Sequence, residues 1–428
     1  KRFVADWEMN SGRRVEVTQG PDTGKRVAVI GGGPAGRSCA YFLRRLGHQV
    51  TLFESMPNLG GMLRYGIPEY RLPKKILDWE IQGILDLGVE VRKNVRFGKD
   101  FNVEFLLASG FEAIFLAAGA WVSSQMRTEG EDMEGVWGGI DFLRMRDLGV
   151  SVDVGKKVVV VGGGNTAIDA ARPSRRLGAE VTLLYRRSRK EMPANVMEIV
   201  AAEEEGVQLH FLAAPSRVVG DENGRAKQLE YIKMELGEPD DSGRRRPVPI
   251  EGSETLLDVD TIIAAIGQKA DSTIIEKDKS PRLEQLTYTR WGTMDANEDT
   301  GQSNLPYLFT AGDFLTGPAL VVDAIGGGRK AARAIHLYLT GQAVDIPENS
   351  QKKRIPESDL TDLDGIEKKG RPPMPELPVE ERIQTFDESE LTLTEEEALV
   401  ESARCLQCGV TCYWRDGQPR YDDAQSAA

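Results

Sequence analysis

Apolar positions along the chain gather into short β-branched runs. Each run ends in glycines and is followed by a stretch with helical spacing. Residues 27–54 read VAVIGGGPAGRSCAYFLRRLGHQVTLFE, and residues 158–185 read VVVVGGGNTAIDAARPSRRLGAEVTLLY. The two blocks are offset by 131 and share 13 of 28 positions. Each predicts a strand, a tight turn, a helix and a second strand. Two such units a domain apart predict two nucleotide-binding domains of related architecture. Residues 113–120 and 261–268 are further apolar strands that end in small-residue turns. Residues 307–313 form a strand ending in an acid, and residues 319–333 have a helical pattern.

The expected fold class is therefore α/β: two dinucleotide-binding, Rossmann-like domains, the second inserted in the first, plus an extended C-terminal arm. Residues 1–24 read as an irregular lead-in, 25–150 as the opening segment of the first domain and 151–285 as the second domain. Residues 286–344 resume the first domain, and 345–428 form the arm, rich in Pro, Lys and Glu over 345–390. Thr394 and Glu397 have capping-box spacing and open a helix running towards Cys405. Pro173 falls in a predicted helix, where it removes a backbone bond and introduces a kink.

The chain has 428 residues, of which 40% are apolar and 28% charged. This composition supplies a large core and excludes collagen, mucin and wholly disordered classes. A net charge of −13 argues against general affinity for nucleic acid or an anionic membrane. Four cysteines exclude a disulfide scaffold. The longest uncharged apolar stretch, at 113–122, falls short of the ~20 residues a membrane helix needs. Lys1-Arg2-Phe3 carries no signal-peptide pattern, so a cytoplasmic location is expected. The chain lacks an initiator Met, which points to residues upstream.

Gly31-x-Gly33-x-x-Gly36 follows a strand and opens a helix. Such glycines let a pyrophosphate approach the backbone, and the helix N-terminus offers unpaired N–H groups. Glu54 ends the next strand, where a carboxylate accepts hydrogen bonds from ribose hydroxyls. The alternative is a purely structural glycine turn. The second turn is Gly162-x-Gly164-x-x-Ala167, with Tyr185 at the position of Glu54 and Arg186-Arg187 after it. Arginines pair with a 2′-phosphate that a carboxylate would repel, which favours NADP. Alternatively Arg186, Arg187 and Arg189 form a solvated basic loop. Asp313 is placed to accept from a ribityl hydroxyl, or is a simple helix cap. A helix N-terminus aimed at a flavin would stabilise charge on the reduced ring.

GGGPAG (31–36), GGMLRYGIPEYRLPK (60–74), GGGNTAIDAAR (162–172), YRRSRKEMPA (185–194) and the AGD–IGGGRKAA region (311–332) carry a family resemblance. The sequence resembles the small, flavin-bearing subunit of glutamate synthase and its relatives. Those include the nucleotide-handling part of dihydropyrimidine dehydrogenase and the NAD(P)H-oxidising subunits of multi-subunit iron–sulfur oxidoreductases. The resemblance implies FAD on the first domain and a nicotinamide cofactor on the second. FAD then falls to Gly31, Gly33, Pro34, Ala35, Gly36, Glu54, Gly61, Arg64, Ile67, Gly119, Gly312 and Asp313. The nicotinamide cofactor falls to Gly162, Gly164, Asn165, Thr166, Arg186, Arg187 and Gly267. Relatives that favour NADPH often carry an Arg after Met-Pro-Ala, where this chain has Asn195; NADH and NADPH are therefore equal expectations. Leu320 stands where relatives often place a Thr near the flavin.

Cys405-x-x-Cys408-x-x-x-Cys412 is the one cysteine cluster, and Cys39 lies in a predicted helix. Three thiolates fall short of the four that a [4Fe–4S] cube or structural zinc takes. The cluster is either a remnant with the tail docked on a partner, or a site completed by a partner's ligand. No cysteine pair follows GGMLRYGIP, so no dithiol relays electrons from the flavin. The resemblance implies hydride exchange between NAD(P)H and FAD, then single-electron exchange with iron–sulfur clusters of partner subunits. The partners implied are an iron–sulfur electron-transfer subunit and a catalytic oxidoreductase subunit. Hydride transfer needs no acid, base or nucleophile, so no side chain is named catalytic. Two alternatives stay open: a stand-alone NAD(P)H:ferredoxin or acceptor reductase, and a non-catalytic FAD-bearing scaffold. The arm reaches over a partner or is a disordered tail.

Overall fold

A computed structural model describes residues 2–240, 243–344 and 370–403. In chain order its parallel strands are β1 (Arg26–Ile30), β2 (Gln49–Glu54), β3 (Glu90–Lys93), β4 (Ala113–Leu116), β5 (Val136–Gly138), β6 (Lys157–Val161), β7 (Glu180–Tyr185), β8 (Gln208–Phe211), β9 (Thr261–Ala264) and β10 (Leu308–Thr310). The principal helices are α1 (Arg2–Ser11), α2 (Pro34–Arg45), α3 (Lys74–Leu85), α4 (Gly139–Asp147), α5 (Asn165–Arg176), α6 (Val196–Glu204), α7 (Val321–Leu339) and α8 (Glu395–Ala403).

Two all-parallel sheets follow from the repeat. The first has the order β10-β4-β1-β2-β3 and the second β5-β9-β6-β7-β8. The Val/Ile runs of the repeat are buried on both faces, as parallel strands covered by crossover helices must be. On β1, Val27 and Val29 face one core with Leu43 and Ile335. Ala28 and Ile30 face the other, with Phe53 and Phe314. Val158 and Val160 alternate with Val159 and Val161 on β6 in the same way. Because β10 pairs with β4 at Leu308↔Ile114, the chain returns to the first sheet after completing the second. The two crossings run side by side as a short antiparallel ribbon, with Ser123 opposite Gln268 and Val122 opposite Lys269.

The second unit carries an antiparallel extension that the repeat does not foreshadow. Ala226–Pro239 pairs with Ala213–Gly220 on one side and with Arg245–Pro249 beyond it. The N-terminal segment differs from the irregular lead-in expected. It forms α1, steadied by an Arg2–Asp6 ion pair at 3.1 Å and an Arg2–Glu388 pair with the arm. α5 continues past Pro173 to Arg176, and the Pro173 carbonyl still accepts from Leu177 N at 2.9 Å. The capping box read at the start of α8 is formed: Thr394 N donates to Glu397 Oε2 at 2.8 Å, and Glu397 N to Thr394 Oγ1 at 3.2 Å. No helix among the described residues is long and apolar enough to cross a membrane.

Candidate functional site

The first turn leaves β1 at Gly31, whose N–H donates to Phe53 O at 2.8 Å. Gly31 has φ +103°, and a Cβ there would lie 2.3 Å from Ala117 O on the neighbouring strand's turn. A Cβ on Gly36 would lie 1.9 Å from Gly31 O, so only glycine lets α2 sit against the turn. Gly33 caps α2 without a side-chain acceptor, and Pro34 has no N–H to offer. The next N–H groups of that first turn stay open to an anion.

Glu54 closes the other side. It is 6% exposed, its Oε2 accepts from Gly32 N at 2.7 Å and its Oε1 from Met56 N at 2.7 Å. Burial pushes its carboxyl above the usual range, against the pull of those two N–H donors. Between turn and acid opens a cleft of about 350 Å³. Gly31, Gly33, Pro34, Ala35, Glu54, Gly61, Gly119, Gly312 and Asp313 converge on it. Gly36 stands behind the wall and sets its spacing. Arg64 and Ile67 are elsewhere: Arg64 Nε donates to Leu59 O at 2.6 Å and its guanidinium pairs with Asp78. Ile67 is half-buried, and its carbonyl accepts from Lys74 Nζ at 2.6 Å. Asp313 opens a short helix, Asp313–Thr316, rather than capping one with its side chain. It lines the cleft, and its Oδ1 accepts from Ala319 N at 3.3 Å; burial raises its carboxyl. Leu320 is exposed and has no polar side-chain atom, so the α7 entry is capped by Asp323 Oδ2, which accepts from Leu320 N at 3.3 Å.

Met56, Arg96, Trp121, Arg144 and Asp271 also line the cleft, and the motifs did not point to them. Trp121 directly follows the 117–120 turn and lies 6.0 Å from the buried Tyr65 ring. That adjacency was the one available signal.

The second turn repeats the first with changes. Gly162 has φ +146°, and a Cβ there would meet Ala265 O at 2.3 Å, the counterpart of Gly31 and Ala117. The Tyr185 ring lies where Glu54 lies in the first unit: a Cβ on Gly163 would be 2.5 Å from that ring, as one on Gly32 would be 2.9 Å from Glu54 Oε2. Tyr185 Oη donates to Glu191 O at 2.8 Å, so no carboxylate awaits a ribose here. Gly164 caps α5, again without a side-chain acceptor. Asn165 Oδ1 accepts from Asn195 N at 2.9 Å, and Thr166 Oγ1 accepts from Gln268 Nε2 at 3.3 Å beside Gly267. Asn195 thus has a structural task, and its Oδ1 also caps α6 by accepting from Met197 N at 3.0 Å.

The two arginines separate. Arg186 is exposed and makes no ion pair among the described residues. Arg187 is 5% exposed and is committed to Asp240 at 2.6 Å, with its Nε donating to Arg245 O at 2.8 Å. Burial thus binds Arg187 to the antiparallel extension, while Arg186 stays exposed. Arg189 pairs with Glu203 on the surface.

A buried ionic joint connects the two units, and the motifs did not announce it. Arg71 reaches Asp169 at 2.6 Å and Glu198 at 3.1 Å. Arg172 and Arg176 both hold Glu205, at 2.6 and 2.7 Å, and Arg176 stacks 3.7 Å from the Tyr70 ring centroid. Burial raises the Asp169 carboxyl to about 6. The arm seals this joint. Arg176 donates to Thr385 O at 2.9 Å and Ser389 Oγ at 3.1 Å, and Ser389 N donates to Tyr70 O at 3.0 Å. Arg382, 2% exposed, pairs with Glu204 and lies 3.3 Å from Glu205. Residues 375–391 thus lie on their own chain, neither free nor extended away from it.

Cys39 is a buried free thiol whose pKa burial raises. Cys405, Cys408 and Cys412 lie outside the described residues. Among the described residues no His/Cys/Asp/Glu group is arranged to hold a metal ion.

Residues 25–328 match the family model described as pyridine nucleotide-disulphide oxidoreductase. The chain is 39% identical over 445 aligned residues to the NADPH-Fe(3+) oxidoreductase subunit beta of Geobacter sulfurreducens, covering 95% of this chain. It spans 65% of that relative's length. It is 35% identical to the glutamate synthase [NADPH] small chain of Escherichia coli, over 79% of this chain and 74% of that one. The structure of Mycobacterium tuberculosis FprA in complex with NADPH superposes with a TM-score of 0.64 at 18% identity, over 79% of this chain and 89% of the other.

Proposed function

The chain belongs to the pyridine nucleotide-disulphide oxidoreductase family, and from that premise we propose that it is the NAD(P)H-oxidising, FAD-bearing subunit of a larger iron–sulfur oxidoreductase. The observation that carries the reading is the twice-built glycine turn. Each turn opens a helix with no side-chain cap, and each needs glycine because a Cβ would lie 2.3 Å from a carbonyl oxygen. Both cradles fit an adenine dinucleotide, and they differ where its ribose would lie: a buried carboxylate in one, Tyr185 and an exposed arginine in the other.

On this reading residues 25–121 and 270–344 hold FAD, and the inserted unit between the paired crossings, which includes β5, holds the nicotinamide cofactor, so both expected boundaries, at 150 and 285, lie nearer the N-terminus. Gly31, Gly33, Pro34 and Ala35 receive the FAD pyrophosphate, Glu54 its adenosine ribose, and Gly61, Gly119, Gly312 and Asp313 the remainder. Gly162, Gly164, Asn165, Thr166, Arg186 and Gly267 receive the nicotinamide cofactor, with Arg187 supporting Arg186 from behind. When bound, FAD supplies two-electron exchange with the nicotinamide and one-electron exchange with an iron–sulfur centre. The protein's own work is to fix both dinucleotides and hold the two units in register. Names such as "subunit beta" and "small chain" among the relatives support partner subunits; the proposal assigns iron–sulfur clusters to one partner and the final catalytic site to another. The same names support NADPH as the nicotinamide cofactor. A cytoplasmic location is part of this proposal.

The test is direct. Purified protein should be yellow, release FAD on denaturation, and bleach when mixed anaerobically with NADPH. A colourless protein with no flavin in the denatured supernatant overturns the reading.

A further inference from the structure

The antiparallel extension brings a turn of chain to the end of β7, where the second dinucleotide's adenosine would lie. Arg187 Nη2 pairs with Asp240 Oδ2 at 2.6 Å, and Arg187 Nε donates to Arg245 O at 2.8 Å. Asp240 N donates to Arg244 O at 2.8 Å, closing the turn. This double clasp holds the backbone at Arg244 and Arg245 against Arg187, the neighbour of the exposed Arg186; Arg244 is half-buried, and its charge is felt at Arg186. We propose that Arg244, held there by the Arg187–Asp240 clasp, joins Arg186 in reading the 2′-phosphate of NADPH, and that Arg187 is a positioning residue rather than a phosphate ligand. The inference rests on the nucleotide reading of the second turn given above.

Charge argues the same way. Arg187 pairs with Asp240, so that carboxylate does not face an anion alone. Partial burial lowers the Arg186 pKa and the charge of Arg187 lowers it further; Tyr185 opposes them, and Arg244 adds a smaller lowering effect. Crowded guanidinium groups gain from a dianion that each can fork. Tyr185, in place of an acid, removes the group that would select NADH.

Titration of the full chain with 2′,5′-ADP and with 5′-AMP isolates the phosphate. Wild type should bind 2′,5′-ADP the more tightly. Arg186→Ala and Arg244→Ala should each weaken 2′,5′-ADP about tenfold or more and leave 5′-AMP unchanged. Arg244→Lys should restore part of the loss. Arg244→Gln, which keeps the stem, guards against a folding artefact and should match Arg244→Ala. Arg189→Ala, on the same loop but paired with Glu203, should change neither ligand. Unchanged 2′,5′-ADP affinity in Arg244→Ala and Arg244→Gln overturns the inference alone. Failure of wild type to bind either nucleotide overturns both the inference and the nucleotide reading beneath it.

Discussion

At the scale of single residues, Glu54 shows how one side chain serves two ends. Its Oε2 fixes Gly32 and its Oε1 fixes Met56, so the acid shapes the turn it helps to line. Glu54→Arg should therefore cost FAD content in the purified protein, because the acid proposed to hold the ribose becomes a cation; normal flavin per chain would count against that role. His48 makes a separate point. Its Nδ1 meets Thr23 Oγ1 at 2.8 Å and its Nε2 meets His336 Nδ1 at 2.9 Å, with Asp22, Lys25 and Glu112 the other charges near it. Burial, then the neighbouring His336, lowers the His48 pKa to about 4. The unfolded chain binds this proton from about pH 6.5 downwards and the folded one only near pH 4, so stability drains as pH falls through that window. His48→Gln should flatten the melting-temperature difference between pH 7 and pH 4.5 relative to wild type. An unchanged slope would remove His48 from the account.

At the scale of elements, the two turn-and-helix units differ at one informative position. Gly36 has no room for a Cβ, whereas its counterpart is already Ala167. α2 therefore lies closer to its strand's turn than α5 does. Gly36→Ala should lower unfolding free energy in urea by about 2 kcal/mol and reduce FAD retention together. A neutral outcome would mean that α2 can shift outward freely. These units, and the α8 capping box, were legible because their signals are local: periodicity, glycine spacing and a Thr–Glu pair three apart. What was not legible is long-range. Nothing near Arg187 foretells Asp240, 53 residues on. Nor does GIPEYRLP disclose that Tyr70 lies under Arg176 and an arm near residue 389. The Pro- and Glu-rich composition of the arm suggested extension, yet Arg382 is buried there because it meets Glu205, a charge that Arg172 and Arg176 already draw inward.

At the scale of the whole molecule, the arm is a strap across the joint between the sheets. Arg382→Ala should destabilise the protein by ~3 kcal/mol, since a buried carboxylate cluster loses one of its cations. It should also expose residues 375–391 to limited proteolysis before the rest of the chain. Cleavage kinetics identical to wild type would show that the strap is held by other contacts. The paired crossings at 122–123 and 268–269 carry a different consequence. They leave the ends of the inserted unit adjacent, with Ser124 N donating to Gly267 O at 3.0 Å. Once that unit has folded, the outer sheet has to close only a short gap to bring β10 onto β4. While it is unfolded, the same closure must gather a long floppy loop at an entropic penalty. Folding order is thereby biased from the inside out, and the middle of the polypeptide acts as the template on which its two flanks are joined.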